Sequence, residues 1–162
     1  MKLVSGTCAL IECEVVESLG AGVLVTTNKN DRDQGPLLCV ARSKVHNCDF
    51  GGIEARAGGN LIVQDCEVYD NRKGVLIWNP LPKDKMKVKL HGCAIFNNDR
   101  EGVLASGLIA NTLNDYANNV SVQLEGCKIH HNQIGASLAF FKEYSVKNNT
   151  IFSNGSWGIF LR

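Results

Sequence analysis

Three cysteines are each followed directly by an acid: Cys13-Glu14, Cys48-Asp49 and Cys66-Glu67. If these cysteines are equivalent positions of a repeat, Glu14, Asp49 and Glu67 stand in a row. Carboxylates so arranged are the chemistry of a calcium site or of a paired acid and base acting on a sugar. Glu12, Asn47 and Asp65, one residue before the same cysteines, extend the acidic patch. Stacked like charges repel, and the opposing reading is a set of solvated acids flanking a turn. No outward Arg or Lys beside them matches a lyase base, so the reading that the chain is not an enzyme is preferred, with Glu14, Asp49 and Glu67 as the residues of the enzymatic alternative.

The seven cysteines suggest metal, disulfide or packing. No Cys-x2-Cys pair occurs, and a one-dimensional column cannot close tetrahedrally on zinc. His46 and His91 are expected two coils apart, about 10 Å at strand spacing, too far to share a metal. Neither metal nor cofactor is therefore expected. Cysteine stacked in a core behaves as a small apolar residue, and free thiols point to an intracellular setting.

The elements that must position these residues come from a repeat. The segment Asn149-Thr150-Ile151 to Asn154, then Gly158-Ile159-Phe160-Leu161, is a template of small polar residue, apolar residue, Asn, then Gly-apolar-x-apolar. It recurs with Cys13, Cys48, Cys66, Cys93, Cys127 and Asn149 at the key position, at intervals of 35, 18, 27, 34 and 22 residues. Three residues before the key position stand Leu10, Val45, Val63, Leu90, Leu124 and Val146; two after stand Val15, Phe50, Val68, Ile95, Ile129 and Ile151. This alternation describes short strands with one buried face. A third strand follows each glycine, as in Val75-Leu76-Ile77. Asn71, Asn98, Asn132 and Asn154 form a second column at a turn, where stacked amides satisfy bent backbone.

Three short strands per coil predict an all-β, right-handed, single-stranded parallel β-helix of about six coils over residues 1–162. The pattern resembles the parallel β-helix repeat of the pectin-lyase-like superfamily across nearly the whole chain. The variable corners and cysteine-for-asparagine column look most like the β-helix regions of eukaryotic F-box proteins and of SHC-binding and spindle-associated proteins. This fold hosts lyases, hydrolases, lectin-like modules and protein-binding domains, so the resemblance implies architecture more than activity. With no capping helix evident, the chain is expected to belong to a longer protein or to self-associate through open coil ends.

The third strand offers a surface. Its outward positions read Leu24, Glu54, Leu76, Leu104, Ser137 and Phe160, with Trp78 just beyond. Long corner segments, 26–36, 79–86 and 106–119, all leave the same corner, and Tyr116 in the last is placed to fold over this row or to stack on a ligand. An apolar outward row is either covered or a binding face. Leu24, Leu76, Trp78, Leu104, Tyr116 and Phe160 are the candidate binding residues, for a protein or a glycan, and homo-oligomers through this face are a further expectation. The balance of 17 basic and 16 acidic residues, net +1, argues against nucleic acid or an anionic membrane as partner. No apolar run is long enough to cross a bilayer, and the first residues lack a signal-peptide core. The sequence therefore predicts a non-catalytic recognition or scaffold module, with a carbohydrate-active enzyme and a structural spacer as alternatives.

Overall fold

The computed structural model describes residues 1–27, 35–79, 85–107, 120–139 and 143–161. Its strands form three parallel sheets, each taking one strand per coil. The first sheet contains Thr7–Ile11, Leu37–Ala41, Asn60–Gln64, Met86–His91, Val120–Glu125 and Glu143–Lys147. The second contains the three-residue strands Glu14–Val16, Lys44–His46, Glu67–Tyr69, Ala94–Phe96, Lys128–His130 and Thr150–Phe152. The third contains Lys2–Leu3, Val23–Thr26, Gly51–Arg56, Lys73–Asn79, Glu101–Gly107, Ile134–Ala139 and Trp157–Leu161. Among the described residues there is no helix.

Alternation places one apolar residue type in register through the stack. Val45, Val68, Ile95 and Ile129 pair in sequence at the centre of the second sheet and are fully buried. Leu38, Leu61, Val88 and Val122 do the same in the first. The inward-facing Ile159 and Leu161 of the last strand have a neighbour on one side only and are exposed.

Two corners in each coil are built alike. At the first, a residue with φ between 47° and 65° (Glu12, Arg42, Asp65, Gly92, Gly126, Asn148) precedes a small polar residue that points inward (Cys13, Ser43, Cys66, Cys93, Cys127, Asn149). Five residues later the device repeats: Glu17, Asn47, Asp70, Asn97, His131 and Ser153, with φ of 51° to 55°, precede Ser18, Cys48, Asn71, Asn98, Asn132 and Asn154. The left-handed residue turns the chain through the bend, and the backbone ladder continues past it, with His91 O accepting from the Asp65 amide at 2.9 Å and Cys93 O from the Lys128 amide at 2.8 Å. The inward side chain adds further hydrogen bonds at the same corner. Asn98 Nδ2 donates to Phe96 O at 3.1 Å, to Val68 O of the preceding coil at 3.3 Å and to Asn132 Oδ1 at 2.9 Å. Its Oδ1 accepts from the backbone and side-chain nitrogens of Asn71, both at 3.1 Å. Cysteine follows the same plan with sulfur: Cys93 Sγ faces His91 O at 3.3 Å and Val63 O at 3.5 Å.

This arrangement corrects the register of the second coil. Ser43, not Cys48, stands in the first column, where its Oγ accepts the Cys13 amide at 3.0 Å. Cys48 belongs to the asparagine column, its amide donating to Asn71 Oδ1 at 3.0 Å. The true intervals in the first column are 30, 23, 27, 34 and 22 residues. The inward residues of this coil are accordingly Leu38, Val40 and Val45, while Phe50 lies beyond the second corner. Serine and cysteine are interchangeable in either column because each supplies a short donor and acceptor. A cysteine alone therefore does not say which corner it occupies.

The glycines before the third strands answer to the asparagine column. A Cβ at Gly102 would lie 2.8 Å from Asn132 Nδ2 and 2.8 Å from Gly135 O. Only glycine lets the backbone approach this closely.

Asn98→Ala removes five hydrogen bonds from a site that is 2% exposed. We expect a loss on the order of 3–5 kcal/mol in urea unfolding. Asn98→Cys is expected to lose clearly less, since Cys48 already fills the equivalent position; equal losses for the two variants would count against the column as the source of stability.

Candidate functional site

The register separates the three acids proposed for catalysis. Glu14 and Glu67 flank Lys44 in the second sheet. Glu14 Oε1 meets His46 Nε2 at 3.0 Å, and Glu67 Oε2 meets Lys44 Nζ at 3.3 Å. Asp49 lies at the other corner, in a cleft of about 460 Å³ that also takes in Arg72, Asp99 and Arg100. The acidic patch is thus an alternation of charges, and a misplaced Cys48 is the reason it reads otherwise. Arg42, rather than Asn47, stands between Glu12 and Asp65 and bonds Glu12 at 2.9 Å. Among the described residues no group of three or more His, Cys, Asp or Glu is placed to hold a metal ion.

His46 changes face for the same reason. It does not share the outer first sheet with His91 but starts an aromatic stack on the outer second sheet. His46, Tyr69, Phe96, His130 and Phe152 follow one another at ring-centroid distances of 4.6, 5.0, 5.2 and 4.8 Å. Burial pushes the His130 imidazole down, and His131 and Lys128 add to the shift.

The outer face of the third sheet is as read. Leu24, Glu54, Leu76, Leu104, Ser137 and Phe160 pair in one continuous row. Their exposures divide them. Leu76 is buried, at 1%, and takes no part in a free surface; Leu24, Leu104 and Phe160 are half-buried. Trp78 is 47% exposed. Tyr116 and most of the corner segments 26–36, 79–86 and 106–119 lie outside the described residues.

Glu54, in the middle of this row, is fully buried although it faces outward. Its neighbour on the same side of the strand is Arg56, whose Nη2 meets Glu54 Oε2 at 2.5 Å. The contact is a close ion pair, and among the described residues neither Glu54 oxygen nor Arg56 Nε has a hydrogen-bond partner of good geometry. Burial pushes the Glu54 carboxyl above its usual range; Arg56, and then Lys73, pull the other way. Arg56, Lys73 and Arg72 gather over the Phe50 ring at 5.6, 5.8 and 5.9 Å from its centroid. At the far end of the face Trp157, 57% exposed, leans against Phe160 with centroids 5.9 Å apart. Arg56, Lys73 and Trp157 were not candidates in the sequence; the Glu54-x-Arg56 spacing on one strand face is the signal that identifies the first.

Stacked coils with two polar corners and one variable corner define a parallel β-helix. The chain belongs to the right-handed beta helix region family, whose match runs over residues 3–162. No curated protein matches it. Among solved structures it is similar to the periplasmic alginate epimerase AlgG, with a TM-score of 0.48 and 16% identity over 89% of this chain and 42% of the epimerase. A mutant of that epimerase gives a TM-score of 0.43 and 14% identity over 93% of this chain and 45% of that one. The chain spans less than half the length of these structures.

Because the folded protein holds the Glu54 proton more tightly than the unfolded chain does, stability falls as pH rises from the unfolded carboxyl's range through the raised folded value. Glu54→Gln is neutral throughout, and solvent reaches the Arg56 that it leaves behind, 39% exposed. We expect the variant to gain on the wild type with rising pH and to lose that gain in acid. Urea midpoints measured from about pH 4 to pH 8 test this, and a difference independent of pH would contradict the assignment.

Proposed function

We propose that the chain is a non-catalytic recognition module that holds an extended glycan against the outer face of its third sheet. The observation that carries this is the pair of exposed indoles, Trp78 and Trp157, on one face with the half-buried Leu104 and Phe160 on the strands between and beside them. They sit three strands and about five residues apart along the strand direction, about 20 Å on the diagonal. Indoles present flat apolar surface to the C–H face of a sugar ring, and Arg56 and Lys73 at one edge supply donors for hydroxyl or carboxylate groups. An ordinary solvated sheet face has no need of two exposed tryptophans.

Two of the acids are paired with cations, Glu67 with Lys44 and Glu54 with Arg56, and Glu14 meets the His46 ring. That favours binding over catalysis. The raised carboxyl of Glu54 is the one observation that favours a carbohydrate-active enzyme, and it moves that alternative from Glu14, Asp49 and Glu67 to the third sheet. Seven free cysteines support an intracellular setting as part of the proposal.

Glycan-array binding followed by calorimetry tests the reading. Trp78→Ala and Trp157→Ala are each expected to weaken the best glycan about tenfold, roughly 1.4 kcal/mol, with the fold intact by circular dichroism. Binding unchanged in both variants, or binding confined to proteins, would overturn it. Polymer cleavage by the wild type that Glu54→Gln abolishes would favour the enzyme instead.

A further inference from the structure

The aromatic stack of the second sheet contains two adjacent histidines that the proposed glycan face does not use. His130 is the last residue of the strand Lys128–His130, and His131 is the left-handed residue of the corner that follows, with φ of 55°. Their Nδ1 atoms stand 2.7 Å apart, and the rings are nearly perpendicular, at 85°. His131 is exposed and His130 is half-buried.

The fold holds both rings. Phe96 lies against one face of His130 with centroids 5.2 Å apart, and Phe152 against the other at 4.8 Å. Only the edge of the His130 ring is left free, and its Nδ1 faces His131. The corner sets His131: its amide donates to Ser153 O at 3.0 Å, and its ring meets Phe152 edge-on at 6.1 Å. Packing of this kind keeps two ligand atoms aimed at one place.

Two nitrogens about 2.0 Å from one ion lie about 2.8 Å apart at the right angle of a tetragonal site, and about 3.3 Å apart in a tetrahedral one. The Nδ1 separation matches the first. Imidazole suits Ni(II) and Cu(II), and both ions take tetragonal nitrogen and oxygen ligands. Among the described residues no third His, Cys, Asp or Glu joins the pair. The other positions of such an ion go to water, which reaches it beside the exposed His131.

We propose that His130 Nδ1 and His131 Nδ1 form a bidentate site for a divalent transition-metal ion of the Ni(II) and Cu(II) class. In the free protein one Nδ1 carries a proton and donates it to the other. On binding, that proton moves to Nε2 of the same ring, so both rings bind neutral, no proton is released and no oxidation state changes. Burial, His131 and Lys128 all disfavour charge on His130, and neutral imidazole is the metal-binding form. Lys128 repels a metal ion as it repels a proton.

The stack and the corner row supply the variants. Phe96 and Phe152 show that phenylalanine fits the position of His130, and Asn97, with φ of 54°, shows that asparagine fits that of His131. The untagged full chain, with the half-buried Cys8 and Cys39 changed to Ala and Cys13 to Ser, is titrated with Ni(II) at a pH above the imidazole range. Ser43 shows that serine fits the column of Cys13. Calorimetry in buffers of different ionisation enthalpy gives stoichiometry, affinity and proton release, and NMR shows which imidazole signals the ion broadens. The expected result is one ion per chain, no proton released, and broadening first at His130 and His131. His130→Phe and His131→Asn are each expected to weaken binding ~10-fold or more, the least that losing a direct ligand should cost. Lys128→Gln is expected to tighten binding, and His91→Gln to leave it unchanged. Affinity that survives either His130→Phe or His131→Asn, that falls as far in His91→Gln, or that weakens in Lys128→Gln overturns the site, as does release of a proton or broadening that begins at His46 or His91.

Discussion

The bend of the chain out of one sheet and into the next is the constraint on which this structure depends. A left-handed residue makes the turn possible without breaking the ladder, as His91 O still accepts from the Asp65 amide. A short inward side chain, asparagine, cysteine or serine, hydrogen-bonds carbonyls at the bend and links it to the neighbouring coil. The five-residue separation of the two corners is the same in all six coils, from Cys13 and Ser18 to Asn149 and Asn154. The second sheet is held between them and cannot change length. The second corner varies by a single residue, four from Asn71 to Val75 against five from Asn98 to Val103, and the large changes in length fall at the third corner.

Other features follow from that bend. The asparagine amides stand so close to the third strand that Gly102 and its equivalents must lack a side chain. A constant second sheet brings His46, Tyr69, Phe96, His130 and Phe152 into one stack, since each stands three residues after its column residue. The variable corner opens beside the third sheet, the face on which Trp78, Arg56 and buried Glu54 meet.

The sequence carried the three-strand coil, the asparagine column and the outward row from Leu24 to Phe160, because period-two alternation and recurring corner residues are local signals. It misplaced the second coil because Cys48 and Ser43 are chemically equivalent in the two columns, and local pattern cannot choose between corners five residues apart. Both Phe50 and His46 then fell on the wrong face, and the acids appeared as one patch. Burial of Leu76 and Glu54 was not legible either. Alternation says which way a side chain points, and only the assembled surface says whether solvent reaches it.

The corner columns are most directly tested by hydrogen exchange and nuclear Overhauser contacts of the asparagine side-chain amides. The account predicts that the Nδ2 hydrogens of Asn71, Asn98 and Asn132 exchange only with global unfolding, with contacts running from Asn71 through Asn98 and Asn132 to Asn154, and with the Cys48 amide close to the Asn71 side chain. Rapid exchange of these amides, or a Cys48 amide placed beside Cys66, would contradict it.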